Sequence, residues 1–166
     1  MSNPTYLQLV DTVKPVMGCA PAALASTAGD GDYVSMKNFR RCTVLISVLN
    51  ATTVTGGDVT LKQATAVAGT GEKELAFDKA YRNIDCAAGD TMAEFDVLSS
   101  TFTTDATNSK RLLYAIEIDA ASLDIDNGFD CLRVDVASMA SAVGSVVYLL
   151  HGGRYNPPLA LPAITD

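Results

Sequence analysis

His151 is the single histidine of the chain, so any histidine-based acid–base pair or triad has to be built around it. It follows the apolar run 146–150 and precedes Gly152-Gly153, the setting of a strand end or an interface. No serine or cysteine stands in a nucleophile motif. Asp96 and Glu117 are the carboxylates a hydrolase would use, yet both fall on the wet side of strand-like segments, where solvated carboxylates are ordinary. Asp124-Ile125-Asp126-Asn127-Gly128 approximates a calcium loop with Asp135 at its far end. Its glycine comes fifth instead of sixth and its last acid is Asp instead of Glu, so a turn closed by Asx hydrogen bonds fits better. Gly29-Asp30-Gly31-Asp32 is a weaker case of the same kind. The Gly56-Gly57 and Gly69-Thr70-Gly71 turns lack the Lys-Ser/Thr ending of a phosphate cradle. Cys19, Cys42, Cys86 and Cys131 form no Cys-x-x-Cys pair, and they are expected as buried thiols behaving as small hydrophobes rather than as a disulfide or a metal site. The expectation is therefore no catalytic residue, no cofactor and no metal.

Positive charge gathers locally at Lys37-Asn38-Phe39-Arg40-Arg41. Two readings apply. Phe39 packs inward while the cations stay in water, or the guanidinium groups of Arg40 and Arg41 donate to an acidic neighbouring subunit. The net charge is −7 and no stretch holds more than two adjacent basic residues, which argues against a phosphate-tracking surface and so against nucleic acid as a direct partner. The first six residues lack the basic start and apolar run of a signal peptide, and no 18-residue apolar window occurs, so no membrane partner and a cytosolic site of synthesis are expected.

The elements that would carry these residues are strands. With 166 residues, 48% hydrophobic and 19% charged, the chain has enough apolar mass for one self-sufficient core. Segments 41–50, 59–66, 92–98, 112–118, 132–136 and 146–150 read as strands, with shorter pieces at 73–77 and 80–84. Segment 41–50 is apolar at nearly every position, as in a strand covered on both faces at the middle of a sandwich or at an interface. Segment 59–65 alternates, and the Thr55-Gly56-Gly57-Asp58 turn before it suggests a hairpin with 41–50. In 112–118 the residues Leu112, Tyr114, Ile116 and Ile118 share one face, and 132–136 shows strict alternation. Residues 99–110 read as a surface loop. Residues 1–32, with Pro15, Pro21 and an Ala-rich stretch, read as an N-terminal arm, 33–155 as an all-β domain of β-sandwich or jelly-roll type, and 156–166 as a Pro-rich tail running over a surface.

Lys37-Asn38-Phe39-Arg40-Arg41, Val59-Thr60-Leu61-Lys62-Gln63-Ala64-Thr65, Gly69-Thr70-Gly71-Glu72-Lys73, and Asp126-Asn127-Gly128-Phe129 ahead of Leu132-Arg133-Val134 together form a diffuse pattern. In this respect the chain resembles the capsid decoration, or cement, proteins of tailed bacteriophages, from about Tyr33 to the closing Gly153-Arg154-Tyr155. The cysteines and the Ala-rich arm depart from that pattern. The resemblance implies a β-sandwich subunit on the outer surface of an icosahedral head, assembled in the host cytoplasm, often a homotrimer, with the major capsid protein as partner. It makes Phe39, Arg40, Arg41, Arg154 and Tyr155 the candidate capsid or inter-subunit contacts. A neck, tail or fibre-associated module binding a host glycan is the alternative, and exposed aromatics among Tyr114, Tyr148 and Tyr155 would favour it.

Overall fold

The computed structural model describes residues 9–25, 31–154 and 161–164. A single helical turn, α1 (Leu9–Thr12), leads into eleven strands: β1 (Val13–Ala23), β2 (Val34–Ser35), β3 (Arg41–Asn50), β4 (Asp58–Ala64), β5 (Lys73–Glu74), β6 (Phe77–Asn83), β7 (Ala93–Ser99), β8 (Thr101–Thr103), β9 (Arg111–Asp119), β10 (Cys131–Val136) and β11 (Ala142–His151). They form two antiparallel sheets. The larger runs β1-β11-β3-β9-β6-β7, and the smaller runs β2-β10-β4-β5 with β8 added against β4. The fold is all-β, as expected.

Alternation explains the sandwich. In β9, Leu112, Tyr114, Ile116 and Ile118 point inward and are buried, while Arg111 and Glu117 stay exposed. Val44, Ile46 and Val48 of β3 do the same from the larger sheet, and Val59, Leu61, Leu132 and Val134 meet them from the smaller one in one continuous core. Phe102 anchors one end of it, edge-on to Phe77 and Phe95 and tilted against Tyr114.

Three elements differ from expectation. Residues 13–23, read as part of an arm, form the edge strand β1, paired antiparallel to β11 from Val13 opposite His151 to Ala23 opposite Val143. An edge strand tolerates Pro15 and Pro21 because its outer side needs no ladder partner. Gly18 is required there, since a Cβ would stand 2.4 Å from Cε2 of Tyr148. Segments 41–50 and 59–65 are not a hairpin: β3 pairs with β11 and β9, whereas β4 pairs with β10 in the other sheet. The Gly56-Gly57 segment makes a crossing between sheets, held by Thr104, whose Oγ1 accepts the Gly57 N–H and whose own N–H donates to the Gly57 carbonyl. Within the expected loop 99–110, β8 pairs with the start of β4.

Of the tail, residues 161–164 lie against the domain. The Ser35 N–H donates to the Ala163 carbonyl at 2.6 Å, and Ala163 is buried.

Candidate interaction surface

The end of the larger sheet where β3 begins and β11 finishes brings the sequence-predicted cations together. Asn38 and Phe39 sit in a turn closed by the Phe39 N–H on the Met36 carbonyl. Phe39 is fully buried, so it supports the site from beneath and is not itself a contact. This matches the reading in which Phe39 packs and the cations stay wet. The Arg40 N–H bonds the carbonyls of His151 and Gly152, and the Arg40 carbonyl accepts the Ala120 N–H. Its backbone is thus clamped between two chain segments while its side chain remains 77% exposed. Arg41 opens β3 between His151 and Asp119 in register. Arg154 is brought in by its N–H on the Asn38 carbonyl at 2.9 Å. Tyr155 lies outside the described residues.

A groove of about 520 Å³ is lined by Arg40, Arg154, Asp119, Ala120, Ile125 and Gly152, and Arg41 lines a neighbouring hollow with Arg40, His151 and Gly152. Lys37 borders the adjoining hollow, with Asp130. Asp119 stands 4.0 Å from Arg40 Nε and 3.9 Å from Arg41 Nη2, long for ion pairs, and its other oxygen is committed to the Ala121 N–H as the cap of a 3₁₀ turn. Four cations therefore face two carboxylates here, on a chain whose net charge is −7. Such a localised positive end attracts carboxylates of a partner and orients its approach. Asp119, Ile125 and Gly152 are not legible as members of this site, because they arrive from the end of β9, from the 3₁₀ turn that follows it and from just past β11.

The other candidates are placed elsewhere. His151 holds Thr43 Oγ1 at 2.8 Å through Nε2. Asp96 and Glu117 lie on β7 and β9 with β6 between them. Asp124 accepts both bonds from the Asn127 side-chain amide and pairs with Lys73, while Asp135 serves a network on the smaller sheet. Gly128 takes φ 81 at the end of that turn, as the Asn-Gly pair suggested. Tyr114 and Tyr148 are buried, which removes two of the three aromatics a glycan-binding patch would have used. Cys19, Cys42 and Cys131 are buried and Cys86 is exposed.

The smaller sheet's outer face contrasts with the cationic end. Lys62 Nζ binds Glu72 at 2.7 Å and Asp135 at 2.6 Å. Arg133 stands 3.1 Å from Glu72 and 2.8 Å from Asp135. Tyr33 donates to Glu72 at 2.6 Å, and the Arg133 guanidinium lies over its ring. Lys62 is pushed up, first by Asp135 and then by Glu72. Glu72 is held below the usual carboxylate range, first by Lys62 and then by Tyr33. Two cations and two anions satisfy one another, leaving little for a partner to gain.

No family model and no curated protein matches this chain. Among solved structures it is similar to the SPBc2 prophage-derived protein YomS, at 14% identity and a TM-score of 0.43, over 83% of this chain and 92% of that one.

Proposed function

We propose that the chain is a structural virion protein, a decoration or cement subunit that binds the outer surface of an icosahedral phage head and reinforces contacts between major capsid proteins. One observation carries this reading: Arg40 and Arg154, from opposite ends of the domain's sequence, line one open groove, and Arg41 lines the hollow beside it, on an otherwise acidic chain. The sequence resemblance from Tyr33 to Tyr155 points the same way. Solvated guanidinium groups suit many modest, exchangeable contacts to carboxylates of a shell, and a repeating shell multiplies such contacts into avidity. The protein is made in the host cytoplasm and remains on the head surface.

The test is co-sedimentation of the purified chain with heads assembled without it. Saturable binding that raises the heat resistance of the heads, and that is lost with Arg40→Glu plus Arg154→Glu, supports the proposal. Absence of the chain from purified particles, or heads equally heat-resistant with and without it, removes it.

A further inference from the structure

The outer face of the larger sheet carries an apolar row, flanked by Thr43 and Glu117 on one side and Ser47 and Ser145 on the other, where that of the smaller sheet is a closed charge network. Partners in register run Met17, Val147, Leu45, Ala115, Tyr81 across five strands. Met17 is 52% and Tyr81 37% exposed, and two rows along, past Ser47 and Ser145, the paired Leu49 and Val143 are 49% and 44% exposed. The described residues leave this face uncovered. Yet β3 has the composition of a strand buried on both sides, with Leu45 and Leu49 turned outward. Sequence and single-chain structure disagree at that point, and a covering partner resolves the disagreement.

We infer that a second copy of this chain covers the face, the two larger sheets packing against each other about a two-fold axis along the Leu45 row. Size and charge both argue for a second copy. Five strands at about 4.8 Å spacing and six residues at about 3.4 Å rise give roughly 500 Å² of flat sheet, before side-chain relief and rim, against about 800 Å² of accessible surface per partner in a standard interface. On β9, Arg111 and Asp119 lie four residues to either side of Ala115. A two-fold axis through that row therefore sets Arg111 of each copy opposite Asp119 of the other. On β3, Thr43 and Ser47 lie two residues to either side of Leu45, so hydroxyl meets hydroxyl. A partner bearing one sign of charge would meet a like charge at one end of β9. Face-to-face packing with strands nearly aligned is an ordinary geometry for two sheets. It differs from the three-fold arrangement that the resemblance implied, and its rim shares Asp119 with the cationic groove.

Light scattering of the full chain across a concentration series tests this. The expected mass is twice the 17.4 kDa chain, falling to that of one chain in Leu45→Lys. Since that variant could fail for folding reasons, a charge-swap pair decides independently. Arg111→Asp and Asp119→Arg chains should each self-associate about tenfold more weakly than the parent, from two repulsive rim pairs, and should recover parental affinity when mixed, because every rim pair is then opposite in sign. A one-chain mass at every concentration, a three-chain mass, a two-chain mass unchanged in Leu45→Lys, or no recovery on mixing would each overturn the inference.

Discussion

The hydroxyl of Tyr148 accepts the backbone N–H of Val134 at 3.0 Å, joining a buried residue of the larger sheet to the edge of the smaller one. The reason lies in the length of β2. Two residues long, it pairs only with Cys131 and Leu132, so β10 continues past its neighbour with unpaired backbone. Tyr148 takes the Val134 N–H, and the Gly31 N–H takes the Val134 carbonyl. Tyr148→Phe should leave that donor buried and unsatisfied, lowering stability by about 1–3 kcal/mol. Denaturant unfolding measures this, and a variant as stable as the parent would show that the bond contributes nothing net.

Gly18→Ala tests the same pillar from the other side. The added methyl would meet the fully buried Tyr148 ring at 2.4 Å, with a loss of about 1–3 kcal/mol as β1 or the ring shifts. Combined with Tyr148→Phe, the two losses should fall short of additive, because both variants disturb one ring.

Charge reversal at Arg40 and Arg154 should separate binding from folding. Both side chains are exposed, so the melting behaviour should stay within about 0.5 kcal/mol of the parent. Head binding should weaken, and the binding that remains should respond less to added salt, because fewer cations take part. A large loss of stability would mean that the groove is part of the scaffold.

Acid should act through the network on the smaller sheet. Glu72 has its folded pKa lowered by Lys62 and Tyr33. A carboxyl shifted this way stabilises the fold above its unfolded value of about 4.3, and that contribution disappears as the pH falls through the folded value. The unfolding midpoint should therefore drop on acidification below about pH 4, and less steeply in Glu72→Gln. Some drop should persist, since Glu94, Asp85 and Asp124 are lowered by Lys79, Lys110 and Lys73 in the same way. Parallel curves for parent and variant would exclude Glu72 as a source of acid sensitivity.

Thiol reactivity should follow burial. Cys42 is fully enclosed, and burial pushes its thiol up, against ionisation, whereas Cys86 is exposed. A thiol reagent should label Cys86 first and Cys42 only on unfolding, and Cys86→Ser should remove the fast phase. Fast labelling of Cys42 in the folded protein would show that its end of β3 opens readily.

Much of the framework is legible from alternation. Strand β3 is legible to the residue, and the buried faces of β9 and β10 follow from the sequence, because in each an inward set of Leu, Ile, Val or Tyr recurs at period two. Strand β1 was not legible. Its register shifts between Met17 and Cys19 and again between Cys19 and Ala22, so the bulges break the period that identifies a strand, and its prolines imitate an arm. The false hairpin has another cause. A Gly-Gly turn reports local backbone freedom, while the choice of sheet is made by partners about seventy residues away, such as Leu132 and Val134 for β4. For the cationic groove, Arg40 and Arg41 stood out as neighbours in sequence. Asp119 entered through the β3–β9 register and Ile125 through the turns that follow β9, and neither leaves a local trace.

The pairing of β1 with β11 has a consequence for biosynthesis. The second strand from the edge of the larger sheet, β11, is the last in sequence among the described strands, and it lies between β1 and β3. During synthesis β3 therefore has no β11 beside it, and β1 has nothing to dock on, until residues 142–151 have left the ribosome. The sheet cannot be built up residue by residue from its N-terminal side. Its completion is a late, non-local event, and a nascent chain stalled before residue 142 would leave β1 and the facing edge of β3 unpaired together.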